Sequence, residues 1–171
     1  MTFWSTTVRA THLVTNAAWF GGSLMGAVAL NPAAHAAGDE QTANRVTSAG
    51  WKRWGPVQGS AIAAHLASGL AIVADNRRRA FGHRRTRGDV VAKTVLTALA
   101  VGSSAAAYQQ GSRLGAARSA GDDRTARTLH DRMRALQWVT PALTGALLVL
   151  DADLGEQQRG LAGLLDRPFG S

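Results

Sequence analysis

The side chains with most scope for chemistry stand inside stretches that carry no charge. His65 lies about eleven residues into an uncharged run from Trp54 to Ala74. An imidazole so placed could carry a proton, ligate a cofactor or contact a substrate. The plainer reading is a neutral ring hydrogen-bonded to a hydroxyl such as Thr97, Ser103 or Thr144 on a neighbouring helix. His12, Asn16 and Trp19 follow one another at i, i+4 and i+7, and Ser23 extends the same helical face. Polar groups at that spacing in an apolar segment turn toward protein, because lipid offers them no hydrogen-bond partner. They line a candidate pocket with His65 at one wall and Asn31 or Tyr108 at the far end, or they are glue between helices.

Other chemistries are excluded or weakened by what is missing. The chain has no cysteine, so disulfides, thiolate metal sites and cysteine nucleophiles are out. It contains no nucleophile elbow, no phosphate loop and no zinc-binding HExxH helix. His12 is near the start of the first uncharged run and His65 is well inside the second. Run boundaries therefore set the two at depths differing by roughly 16 Å, so a shared haem iron or metal ion is not expected. His35 and His130 fall on the opposite side, each alone in a polar setting. No metal site and no cofactor is expected. Asp75 and Asp151 stand only at the ends of runs two and four, which weakens a proton-coupled carrier. Lys93, just inside run three, is expected to snorkel to the interface.

Four uncharged runs must position these groups: Thr11 to Gly38, Trp54 to Ala74, Thr94 to Ser112 and Ala135 to Leu150. A helix of roughly 20 apolar residues crosses a hydrocarbon core. The first three runs are long enough, and the fourth needs the stem of Arg134 to reach toward the headgroups. The runs are rich in Ala, Gly and Ser, and Gly22 to Gly26 has the small-xxx-small spacing of closely packed membrane helices. The expected fold is all-α, a four-transmembrane-helix bundle, with a soluble all-α bundle as the alternative. The net charge of +8 would suit nucleic acid, but the basic residues gather between the runs, as membrane proteins place them. No specific nucleic-acid partner is expected.

A repeat organises the bundle. Gly38-Asp39-Glu40-Gln41-Thr42-Ala43 recurs as Gly121-Asp122-Asp123-Arg124-Thr125-Ala126, and Trp54-Gly55-Pro56 has a counterpart in Trp138-Val139-Thr140-Pro141. The chain thus reads as one membrane domain over residues 1–171. Pseudo-repeats at about 11–76 and 93–151 form two similar helical hairpins in the same orientation, and 152–171 is a cytoplasmic or surface-lying tail. Asp39 and Asp122 are expected helix caps. Trp54 and Trp138 are expected at the interface, each just ahead of a helix-starting proline, with helices two and four beginning outside the bilayer as surface-lying or projecting segments. Leu129, Met133 and Leu136 give the last helix an amphipathic lead-in. Arg77, Arg78, Arg79, Arg84, Arg85 and Arg87 pack six arginines into one short connector. Such connectors stay cytoplasmic and hold anionic headgroups. Arg113 to Arg134 also carries six arginines, relieved by Asp122, Asp123 and Asp131. The denser, shorter connector is taken as inside, so both termini are expected on the cytoplasmic side of a bacterial plasma membrane. Leu13 to Leu30 followed by Ala34-His35-Ala36 also resembles a signal peptide, but the run is too long and its basic flank is Arg9 alone.

The strings Trp19-Phe20-Gly21-Gly22-Ser23-Leu24-Met25-Gly26 and Gly50-Trp51-Lys52-Arg53-Trp54, with the segment from Ala64-His65 to Asn76-Arg77, resemble a group of uncharacterised actinobacterial four-helix membrane proteins. A small four-helix bundle with an early Asn31-Pro32 is also similar to anthrone-oxygenase-like membrane proteins. That likeness implies action on hydrophobic aromatic substrates without a tightly bound cofactor, with His65 as the candidate catalytic residue. The leading expectation is an accessory or lipid-interacting component. The alternative is an enzyme acting on a lipophilic, aromatic or quinone-like substrate around His65, and a small transporter ranks third. Membrane lipids, other membrane proteins or a second copy of the chain are the expected partners.

Overall fold

A computed structural model describes residues 3–75 and 84–165. The first helix enters as α1 (Phe3–Met25), passes through a π-helical turn (Gly26–Leu30) and ends as α2 (Asn31–Ala36). The π turn is where Pro32 takes effect. Proline has no N–H to donate and its ring crowds the preceding turn, so the chain widens by one residue, and Asn31 N–H bonds the Gly26 carbonyl. Three long helices follow: α3 (Glu40–Asp75), α4 (Arg84–Ser119) and α5 (Asp123–Leu165). Among the described residues there is no strand.

α1–α2 folds back on α3, and α4 folds back on α5, giving two helical hairpins. Both turns are built alike. Gly38 and Gly121 adopt φ of 132° and 69°, a region that β-carbon sterics close to most residues. The aspartate after each glycine accepts from a backbone N–H three residues on, Thr42 to Asp39 at 2.8 Å and Thr125 to Asp122 at 3.0 Å. Those bonds satisfy amides that a helix start leaves free. They favour the carboxylate form, and both carboxyls are held below the usual range, Asp39 by the Thr42 backbone and Asp122 by Thr125 through its side chain and backbone.

Four helical stretches are long and apolar enough to cross a membrane: Phe3–Ala36, Glu40–Asp75, Gly88–Ser119 and Asp123–Asp153. The helices therefore start earlier than the uncharged runs, so the two prolines do not open them. Pro56 and Pro141 lie inside α3 and α5. The tail after residue 151 continues α5 as helix through Leu165. The arginines at 77–79 lie outside the described residues, as do the side chains of Arg84, Arg85 and Arg87.

The hairpins meet mainly through α1 and α5. Trp19, Ala100 and Leu147, all fully buried, close the centre, with Ile62, Leu96, Val101 and Leu143 packed around them. Phe20 approaches Gly145 on α5. At the turn end, Asn31 donates to Gln137 of α5 at 2.9 Å and receives the Trp51 indole N–H of α3 at 3.4 Å. Arg118 of α4 reaches back to Glu40 and Asn44 of α3. A second small core of Ala117, Ala126 and Leu129 lies beside the second turn.

Candidate intramembrane polar site

The helical face read from the sequence points inward as a unit: His12, Asn16, Trp19 and Ser23 are all buried. The structure brings His65 onto it. The His12 and His65 rings stack with centroids 3.9 Å apart and planes 16° from parallel. Trp19 presents its edge to His65 at 6.0 Å. The expected depth difference between the two histidines is therefore wrong. Register in a hairpin is set by distance from its turn, and the two residues are nearly equidistant from the Gly38 turn. The ends of the uncharged runs only mark where charges happen to begin.

Backbone carbonyls fix how the imidazoles are protonated. His12 Nδ1 is 3.0 Å from the His65 carbonyl oxygen, and His65 Nδ1 is 3.2 Å from that of His12. A carbonyl only accepts, so each ring donates from Nδ1 across the helix pair. Ser68 spends its hydroxyl hydrogen on α3 carbonyls, at 2.6 Å to Ala64 and 3.1 Å to His65, and accepts from His12 Nδ1 at 3.1 Å. His65 is thus satisfied by the His12 backbone rather than by Thr97, Ser103 or Thr144. Ser103 is bound to Thr140 at 2.9 Å instead, and Thr144 to its own helix.

Charge enters this site from the second hairpin. Lys93 of α4 forms an ion pair with Asp151 of α5, with side chains 19% and 7% exposed. Asn16 Nδ2 approaches the other Asp151 oxygen at 3.5 Å. Lys93 is therefore a bundle residue rather than a snorkelling one, and Asp151 is an internal carboxylate although it ends an uncharged run. The missed signal is again register: Lys93 and Asp151 are almost equally far from the Gly121 turn.

Two aromatic levels bracket the cluster. Phe3 and Trp4 are exposed at one end of α1. Toward the other end, Gly22 backs directly onto the Trp54 indole. Those levels are about 27 Å apart along the helix, close to the thickness of a hydrocarbon core. His12 lies between them along α1. The cost of polar groups there is met by mutual bonding, with two exceptions: His12 Nε2 and Asn16 Oδ1 are buried without a hydrogen-bond partner.

The remaining candidates fall elsewhere. Asn31 is a tie between α3 and α5 at the π turn. Tyr108 is 79% exposed and does not face the bundle, so it lines no pocket with His65. His35 and His130 are not isolated; their rings meet edge-on at 5.3 Å. Among the described residues no group of three His, Asp or Glu side chains could hold a metal ion. The stacked rings also leave no room for a porphyrin between them, since an iron shared by two imidazoles is met end-on along the Nε2 lone pairs. A shallow cleft lies apart from the histidines, lined by Trp4, Val8, Arg9, Ala71, Ile72 and Asp75.

Fold and site together define a four-helix membrane-spanning bundle with a buried, charge-containing polar layer. Searches against protein families, curated proteins and solved structures find no match for this chain.

Proposed function

We propose that the protein is a non-enzymatic accessory component of a bacterial plasma membrane, in contact with anionic lipid, and that its intramembrane polar residues serve mainly to hold the bundle together. The observation that carries this reading is the filled centre. Trp19, Leu147, His65, Asn16 and Thr144 are the largest fully buried side chains, and they occupy the middle of the bundle. The two histidines use their Nδ1 donors on each other's backbone, a locking role rather than a presentation to substrate. The density of arginines at 77–87 supports headgroup binding on the side of both termini, and the positive-inside tendency makes that side cytoplasmic.

Native mass spectrometry of the protein released from nanodiscs tests it. Retained lipid should be anionic and should be lost when Arg77, Arg78 and Arg79 become Gln, and His65→Ala should lower stability. Retention independent of headgroup charge would overturn the lipid assignment. A second reading, an enzyme for a lipophilic, aromatic or quinone-like substrate, is favoured by the two unpartnered acceptors beside His65. It would prevail if a quinone analogue bound saturably and His65→Ala abolished binding without altering stability.

A further inference from the structure

The shallow cleft at the end of the first hairpin away from the Gly38 turn holds one charge of each sign. Arg9 of α1 and Asp75, the last residue of α3, both line it, with Ser5 beside them. Val8, Ala71 and Ile72 give it an apolar wall, and Trp4, 73% exposed, flanks it. Asp75 is exposed and forms no ion pair among the described residues. The depth of the cleft follows from the chain. Trp4 belongs to the aromatic level at one end of the apolar slab, and Arg9 lies about 8 Å further in along α1, a distance its own stem can span. The cleft therefore meets the headgroup layer, on the side of the arginine connector that follows Asp75.

We propose that this cleft binds a lipid headgroup carrying both a phosphate and a primary ammonium, the ethanolamine type. The Arg9 guanidinium takes the phosphate, whose oxygens its planar fork matches, and the Asp75 carboxylate takes the ammonium. The lining chemistry sets the choice. A glycerol headgroup brings the phosphate but no cation, so its negative charge meets the Asp75 carboxylate uncompensated. A choline headgroup brings a cation that has no N–H to donate. Quaternary ammonium groups are held by cages of several aromatic rings, and Trp4 is the single aromatic residue lining this cleft. Beyond the apolar wall, Leu70 and Val73 are exposed on α3 and give the acyl chains a surface to lie on. No ligand of this site belongs to the arginine connector. The inference thus goes beyond the anionic-lipid reading and shares with it only the membrane-spanning bundle.

The test is native mass spectrometry of the full chain released from nanodiscs that hold ethanolamine, choline and glycerol phospholipids in equal parts, with identical acyl chains. The expected result is an ethanolamine lipid retained several-fold over the choline lipid. D75N should bring that ratio close to unity, D75E should keep it, and R9Q should lower retention of both. Asp75 is exposed at a helix end, so D75N leaves the core packing intact. Changing Arg77, Arg78 and Arg79 to Gln should remove the glycerol lipid and leave the ethanolamine preference, so the two lipid assignments fail separately. Glycerophosphoethanolamine, the same headgroup without tails, should not displace the retained lipid. Displacement by it would make the ligand a soluble phosphate ester and overturn the lipid assignment. An ethanolamine preference that is absent, or that D75N leaves unchanged, overturns the site itself.

Discussion

The two hairpins share a turn and differ in everything they put on its arms. Each begins from a positive-φ glycine followed by a capping aspartate. Beyond the turn, the first hairpin packs by size contrast. Gly22 and Gly26 receive the indoles of Trp54 and Trp51, and Gly50 receives Leu30, each so closely that a β-carbon would sit within 2.1–2.8 Å of the facing side chain. In the second hairpin Gly102, Gly111 and Gly115 face open space, and the arms are joined by Lys93–Asp151 and Ser103–Thr140. Val95 and Val149, nearly as far from the Gly121 turn as His12 and His65 are from the Gly38 turn, are 52% and 69% exposed. One hairpin is thus a jigsaw around histidines and the other an electrostatic clamp that reaches across to them.

The sharpest way to break this contrast is at the ion pair. Lys93→Met or Asp151→Asn alone leaves its partner charged and buried, which costs about 3–5 kcal/mol in buried pairs. K93M/D151N should recover most of that loss. Thermal unfolding in detergent, followed by far-UV circular dichroism, reads all three. Equal losses in the single and double variants would show that the pair is a surface contact.

Next come the glycines. Gly22→Ala forces a methyl group into the Trp54 indole and should cost about 1–3 kcal/mol, the usual toll of overpacking. Gly111→Ala, with nothing near it, should be neutral or slightly stabilising because alanine is the better helix former. A reversed order would mean that the tight face belongs to the second hairpin.

A comparison at matched positions has a similar scale. His65→Ala removes a fully buried ring, its stacking partner contact and its bond to the His12 carbonyl, and should cost about 2–3 kcal/mol. Val149→Ala on the outer face should stay within about 0.5 kcal/mol. If the two cost the same, the histidine layer contributes nothing beyond its volume.

The smallest effect is at the shared feature. Asp39 and Asp122 have carboxyls held below their unfolded value, so their capping contribution is fully present above that value and is lost as pH falls through the lower, folded one. D39A and D122A should each weaken the bundle slightly at neutral pH. The difference from the parent should vanish in acid, where both caps are protonated anyway. A difference that grows in acid would contradict the capping role.

Much of this architecture was legible residue by residue. The inward face of His12, Asn16, Trp19 and Ser23 follows from helical periodicity, because lipid gives polar groups no partner. The Asp39 and Asp122 caps follow from the amides left free at a helix start. Four apolar helices follow from the lengths of the uncharged runs. Helix limits were less legible, since the sequence marks where charge begins while a helix continues as long as its backbone bonds do.

Tertiary structure decided how the two hairpins bring these side chains together. Depth judged from run ends separates His12 from His65 and strands Lys93 and Asp151 at the edges. Depth judged from the two turns brings all four into one layer. That layer also depends on how the hairpins dock along α1 and α5, a choice made by Trp19 filling the space beside Leu147 and Ala100. Local sequence patterns carry no record of that docking, because it arises from shape agreement among residues more than eighty positions apart.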